Sequence, residues 1–146
     1  MQVGEKGWCE VISIRVDGIP KGQPRTRAFV RGKHAGVYDP GTADDWKACV
    51  MAAAHPHRPS VPMTGPCFAA MTFILPRPKR LKSGPRQPHA AKPDIDNLAK
   101  AVLDALNHVG VWGDDAQVSQ AMLCKRYAAS DERPGAEITI DDDRPF

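Results

Sequence analysis

Between Asn97 and His108 the apolar residues fall at Leu98, Ala101, Val102, Ala105 and Leu106. That i, i+3, i+4, i+7, i+8 spacing is the stripe of an α-helix that buries one face, so the fold must supply a layer for it to lie against. Gly110 stands just past the stripe, where a left-handed residue can stop a helix. Acids bracket the stripe. Asp94 and Asp96 come immediately before it, Asp104 sits within it, and Asp114 and Asp115 follow Trp112.

The remaining segments predict that layer. Val11–Val16 alternates apolar and polar residues and reads as a first strand. A short hairpin is expected near Ala28–Val30 and Val37–Tyr38, inside a basic stretch punctuated by Gly and Pro. A helix should follow Thr42 as N-cap, with Asp45 at the capping-box position, Trp46, Cys49, Val50 and Ala53 on its apolar face, and Pro56 ending it. Residues 66–76 read as a second strand bounded by Pro66 and Pro76, and residues 116–129 and 135–142 as a third and fourth. The order β–α–β–α–β–β predicts one α/β or α+β layer structure, a mixed or mostly antiparallel sheet with helices against it. No repeat or linker divides the chain, so residues 1–146 are expected to form a single domain.

Composition excludes several classes. No run of eighteen apolar residues is present, so no membrane span is expected. The N-terminal stretch lacks an apolar signal core, which points to a cytoplasmic protein. Cys9, Cys49, Cys67 and Cys124 are scattered without a C-x-x-C pair, the pattern of reduced thiols rather than a zinc knuckle. His55 and His57 are split by Pro56 with no Cys or third His nearby, and read as a solvated loop. The net charge is only +3, but it is clustered. Lys21, Arg25, Arg27, Arg31 and Lys33 lie in a loop at about residues 18–38, with Arg15 just before them and Asp17 as the one nearby acid. Arg77, Lys79, Arg80, Lys82, Arg86 and Lys92 lie at about residues 76–92 with no acid among them. Two such loops are expected to build a phosphate-binding face. The second is also long and rich in Pro and Gly, as functional loops often are.

The acids suggest what that face serves. After Pro93 the chain is expected to be extended, so Asp94 and Asp96 would point the same way, roughly 6–7 Å apart, with room for one divalent cation between them. Helix capping by Asp96 would explain only one of the two. Lys100, four residues after Asp96, reaches the same end of the helix, and Asp104 is expected to pair with Lys100 in a structural role. From Asn97 to Asn107 the helix advances about 16 Å, while Val109–Asp115 can extend to about 23 Å, so a third acid can return to the first two. Spacing does not separate Asp114 from Asp115, and a plain Gly-Asp-Asp turn would also account for them. Oxygen ligands without His or Cys suit Mg²⁺ or Mn²⁺, which also bind substrate phosphates. An acidic metal pocket ringed by Lys and Arg is the arrangement expected for phosphodiester hydrolysis, with a lysine to stabilise the transition-state charge.

The stretch KPDIDNLAKAVLDALNHVGVWGDDAQV, followed by KRY, resembles the signature of the RusA family of Holliday junction resolvases. GIPKGQPRTR resembles that family's early basic stretch, and the likeness runs from about Val11 to Ile140. Gln23 departs from it, standing where many members carry arginine. The resemblance implies a small homodimeric α/β nuclease that makes paired Mg²⁺-dependent nicks in four-way branched DNA, one strand per subunit. Carried over by position, Asp94, Asp96 and Asp115 would be metal-binding catalytic acids and Lys100 the catalytic lysine, within a segment spanning residues 92–118. Family members often come from phages or prophages. A twofold dimer suits the task, because a four-way junction has twofold-related strands. Three other readings stay open: a non-catalytic branched-DNA-binding module, a Mg²⁺ nuclease acting on flaps, single strands or RNA, and a structural partner protein with incidental charge.

Overall fold

A computed structural model describes residues 11–38 and 41–143, which leaves Cys9 outside the described residues. β1 (Ile12–Asp17) shows the alternation in the sequence, burying Ile12, Ile14 and Val16. It pairs antiparallel with β7 (Gly135–Asp142), which pairs antiparallel with β4 (Cys67–Leu75). β4 then runs parallel to β6 (Val118–Tyr127), and the two-residue β5 (Gln87–Pro88) pairs with the end of β6. The sheet order is β1-β7-β4-β6-β5. β4 and β6 are parallel, so the chain between them must cross over, and the helix α2 (Ile95–Val109) is that crossover.

One face of the sheet is covered. Ala69, Met71 and Phe73 of β4 and Ala136, Ile138 and Ile140 of β7 join Leu98, Ala101, Val102, Ala105 and Leu106 of α2 in one core. The helix α1 (Asp44–Ala54) packs on α2 and β1, with Trp46, Val50 and Ala54 buried. The architecture is therefore α+β, a mixed sheet with helices on one face. Each fully buried Leu or Val adds roughly 1.5–3 kcal/mol, so this packing is what makes the stripe helical. Gly110 takes the left-handed conformation (φ 87°), and its N–H bonds the Leu106 and Asn107 carbonyls.

α1 differs from expectation at both ends and on its face. Its N-cap is Ala43 rather than Thr42, because Gly41 (φ 70°) opens a turn in which the Asp44 N–H bonds the Gly41 carbonyl. Pro56 does not stop the helical path abruptly but sits in a 3-10 turn, His55–His57, whose residues are exposed. Cys49 is exposed rather than on the buried face. The basic hairpin is longer than expected: β2 (Arg27–Arg31) and β3 (His34–Tyr38) form a separate two-stranded ribbon. No helix among the described residues is long and apolar enough to cross a membrane.

Candidate active site

The acids before α2 are not both in extended chain. Asp94 is the N-cap (φ −70°, ψ 145°), and its carbonyl accepts the Leu98 N–H at 3.1 Å. Asp96 lies inside the first turn, because the helix begins at Ile95, directly after the Pro93–Asp94 dipeptide. This corrects the expectation of two side chains aligned along a strand. It puts an acid where the helix dipole favours negative charge, with Asp96 Oδ1 accepting the Asn97 N–H at 2.9 Å. Asp96 is exposed and Asp94 half-buried, with Lys92 Nζ 3.1 Å from the Asp94 carboxylate. Lys100 is one turn beyond Asp96 on the same side of the helix.

The return of the second acid pair rests on a brace that sequence reasoning did not single out. Trp112 is buried, and its indole N–H donates to Asn107 Oδ1 at 2.5 Å. Gln117 then holds both sides of the turn. Its amide donates to the carbonyls of Met63 (2.9 Å) and Gly65 (3.0 Å), and its Oε1 accepts the N–H groups of Gly113 (2.8 Å) and Asp114 (3.1 Å). The sequence signals for this brace were Trp112 and Gln117 themselves, which stand in the stretch that carries the family resemblance, and the placing of Gln117 three residues after an Asp, the spacing of a capping box.

That brace distinguishes the two adjacent acids. Asp114 caps the 3-10 turn Asp115–Gln117 in the capping box with Gln117. Asp115, more sheltered, faces α2, where its Oδ2 lies 3.2 Å from Lys100 Nζ. The structure thus joins the segment around Asp94–Lys100 to the segment around Asp115 through one ion pair. It does not close the three carboxylates into one cluster: among the described residues, no three His, Cys, Asp or Glu side chains converge as a metal site. The side chain that meets Lys100 is a carboxylate, as are those of Asp94 and Asp96, and carboxylate oxygens suit a hard divalent cation. Asp104 is structural but pairs with Lys47 of α1 at 2.9 Å rather than with Lys100, because α1 packs against that side of α2. The Lys47 ammonium holds the Asp104 carboxyl below its ordinary range.

The first basic loop is docked on the same helix end. The Gln23 N–H donates to the Asn97 carbonyl at 2.8 Å, and a Cβ on Gly22 would lie 3.0 Å from that of Asn97, so glycine permits the close approach. Lys21, Arg25, Arg27, Arg31 and Lys33 are exposed, with the Arg31 guanidinium 5.9 Å from the centre of the Phe29 ring. In the second loop the cations divide. Lys79, Arg80 and Lys82 are exposed, and Arg80 lies over Tyr127. Arg77 instead donates to the backbone carbonyls of Pro85, Ala128 and Lys82. Arg86 is gripped by Glu132 and Glu137, which raises its pKa and pulls that of Glu132 down to about 2.

The family model for the endodeoxyribonuclease RusA matches residues 17–141. The uncharacterized protein YqaN of Bacillus subtilis strain 168 is 32% identical over 140 residues, covering 90% of this chain and 96% of that protein. The crossover junction endodeoxyribonuclease RusA of Escherichia coli K12 is 35% identical over 72 residues, 49% of this chain and 58% of that enzyme, and the Shigella sonnei enzyme of the same name matches equally. With a family match across both basic loops, α2 and the Asp115 turn, the chain belongs to the RusA family of endodeoxyribonucleases.

Proposed function

We propose that this protein is a Mg²⁺-dependent, structure-specific nuclease that resolves four-way DNA junctions by paired symmetric nicks, with Asp94, Asp96, Lys100 and Asp115 as its catalytic residues. The observation that carries this reading is the Lys100–Asp115 contact at 3.2 Å, which brings the two motif segments together although fifteen positions separate them. Mg²⁺ or Mn²⁺ held by Asp94, Asp96 and Asp115 would polarise the scissile phosphate and lower the pKa of an attacking water. Lys100 supplies a preplaced positive charge for the oxygens that gain negative charge in the transition state. Lys21, Arg25, Arg27, Arg31 and Lys33, with Lys79, Arg80 and Lys82, hold backbone phosphates. Such contacts set position rather than read sequence.

Paired nicking calls for two copies. The outer edge of β6 from Val118 to Cys124 has no strand partner among the described residues, and Met122 on it is 66% exposed. Open strand edges are templates for pairing, and an antiparallel match with a second copy about a twofold axis fills this one. Asp115 lies just upstream of that edge, so the axis would sit between two equivalent sites.

The test is incubation with an end-labelled synthetic four-way junction, with and without Mg²⁺, beside linear-duplex and flap controls. Symmetric paired nicks on the junction alone, only with Mg²⁺, are expected. Equal cutting of flaps or duplex would refute junction specificity, and binding without nicking would make the protein a junction-binding module.

A further inference from the structure

The long basic loop must hand the chain to Asp94 at a fixed place, although little of the loop is regular structure. Its last part is fastened stepwise to β6. Gln87 and Pro88 pair with Tyr127 and Arg126, and the His89 N–H then donates to the Lys125 carbonyl at 3.3 Å. Beyond His89 the backbone pairing ends and a side chain takes over. Lys125 Nζ donates to the carbonyl of Ala91 at 2.6 Å and to that of Pro93 at 2.8 Å. Pro93 is the residue before Asp94. Lys125 itself is in register with Phe73 of β4, a fully buried core residue, so the anchor does not move with the loop. An ammonium has three donors and no acceptor, which suits it to gathering two carbonyls.

We propose that Lys125 is a positioning residue, which fixes Asp94 and the first turn of α2 by clamping the Ala91 and Pro93 carbonyls; the role rests on the nuclease reading above. It touches no substrate. It acts by holding the Asp94 carboxylate at a constant place relative to Lys100 and Asp115. Misplacing a reacting group by about 1 Å can cost on the order of a hundredfold in rate, so a loosened clamp is read in turnover rather than in binding.

The experiment uses the full chain with Lys125→Met, which keeps the length of the side chain and removes its donors. Three quantities are read: the single-turnover nicking rate on a labelled four-way junction in Mg²⁺, the junction Kd in metal-free buffer, and hydrogen exchange in the protein alone. The expected result is a nicking rate lower by about tenfold or more. Junction Kd should stay within about threefold, while exchange quickens at the Leu98 and Gln23 amides, which bond the Asp94 and Asn97 carbonyls. Parental rate and exchange would overturn the proposal, as would a loss of binding that matches the loss of rate. Should the methionine variant not fold, Lys125→Gln decides, because it keeps one amide donor pair. A smaller shift in the same direction supports the clamp, and parental behaviour overturns it. If the parent protein nicks nothing, the nuclease reading fails while the exchange data still decide the clamp.

Discussion

Replacing Lys100 with methionine should separate catalysis from stability. The Lys100–Asp115 pair is 3.2 Å long, but the lysine side chain is 55% exposed and the aspartate 19%. In a water-like dielectric that attraction is worth roughly 1 kcal/mol, and ordering a long side chain offsets much of it, so removal should cost about 0.5 kcal/mol. For a domain of this size that lowers Tm by about 1–2 °C. A preplaced charge beside the transition state is worth far more, and losing one typically costs a hundred- to a thousandfold, or about 2.7–4 kcal/mol. Lys47→Met is the matched control. Its partner Asp104 is 2.9 Å away, and the Lys47 side chain is only 12% exposed. A sheltered charged hydrogen bond contributes about 1.5–3 kcal/mol, so this variant should lose about 3–10 °C and still nick. Calorimetry gives the two Tm values, and single-turnover nicking of a junction in saturating Mg²⁺ gives the two rates. A Lys100→Met enzyme nicking within threefold of the parent would refute the assignment of Lys100. So would an equal loss of rate in Lys47→Met.

Asp114→Asn should retain nicking within about threefold, while Asp115→Asn should lose a hundredfold or more; single-turnover rates compare them, and equal losses would mean that the turn matters as a whole. Met122→Lys sets like charges against one another across any β6–β6 pairing, so light scattering should show a shift toward monomer together with loss of paired but not single nicks. Glu132 contributes stability that is full above its unfolded value of 4.5 and is lost as pH falls toward its folded value of about 2. With solvent screening that contribution is about 1 kcal/mol. Acid unfolding should therefore be shallower between pH 4.5 and 2 in Glu132→Gln than in the parent.

Local features were legible in the sequence because they depend on neighbours in the chain. The Leu98–Leu106 stripe, the alternation at Ile12–Val16 and the stop at Gly110 all appear where they were expected. What the sequence did not show depends on distant partners. The parallel pairing of β4 with β6 is fixed by the crossover through α2, not by any pattern within either strand. The first turn of α2 was missed because Asp94 and Asp96 serve equally well in extended chain or at a helix start, and only the packed helix decides between them. The convergence of Lys100 with Asp115 was no more than geometrically allowed until Trp112, Asn107 and Gln117 fixed the turn. Lys125, in a strand thirty-odd residues from the carbonyls it binds, gave no local sign of its task.

The basic loops show why a charge run is a weak guide to a binding face. In sequence the six cations from Arg77 to Lys92 look equivalent, because no acid lies among them. The fold supplies acids and carbonyls from elsewhere. Glu132 and Glu137 arrive from beyond β6 to enclose Arg86, and the Ala128 carbonyl, also from beyond β6, joins that of Pro85 within the loop to take up Arg77. An arginine held by two carboxylates has little charge left to attract a phosphate, so Arg86 is expected to shape the loop rather than to contact DNA, whereas the carbonyls that Arg77 meets fix its position and leave its charge in place. Lys79, Arg80 and Lys82 stay on its surface, Lys92 stands beside Asp94, and Lys21, Arg25, Arg27, Arg31 and Lys33 stand on or beside the β2–β3 ribbon, whose root is bonded to the first turn of α2. Because that root lies on α2, phosphates held by the ribbon would be held at a fixed relation to Asp94 and Lys100. Neutralising Arg25 and Arg27 together should then lower the salt dependence of junction binding by about two phosphate contacts. The same change at Arg86 should instead loosen the second loop and leave that slope unaltered, and an equal loss of slope in both would contradict this division of labour.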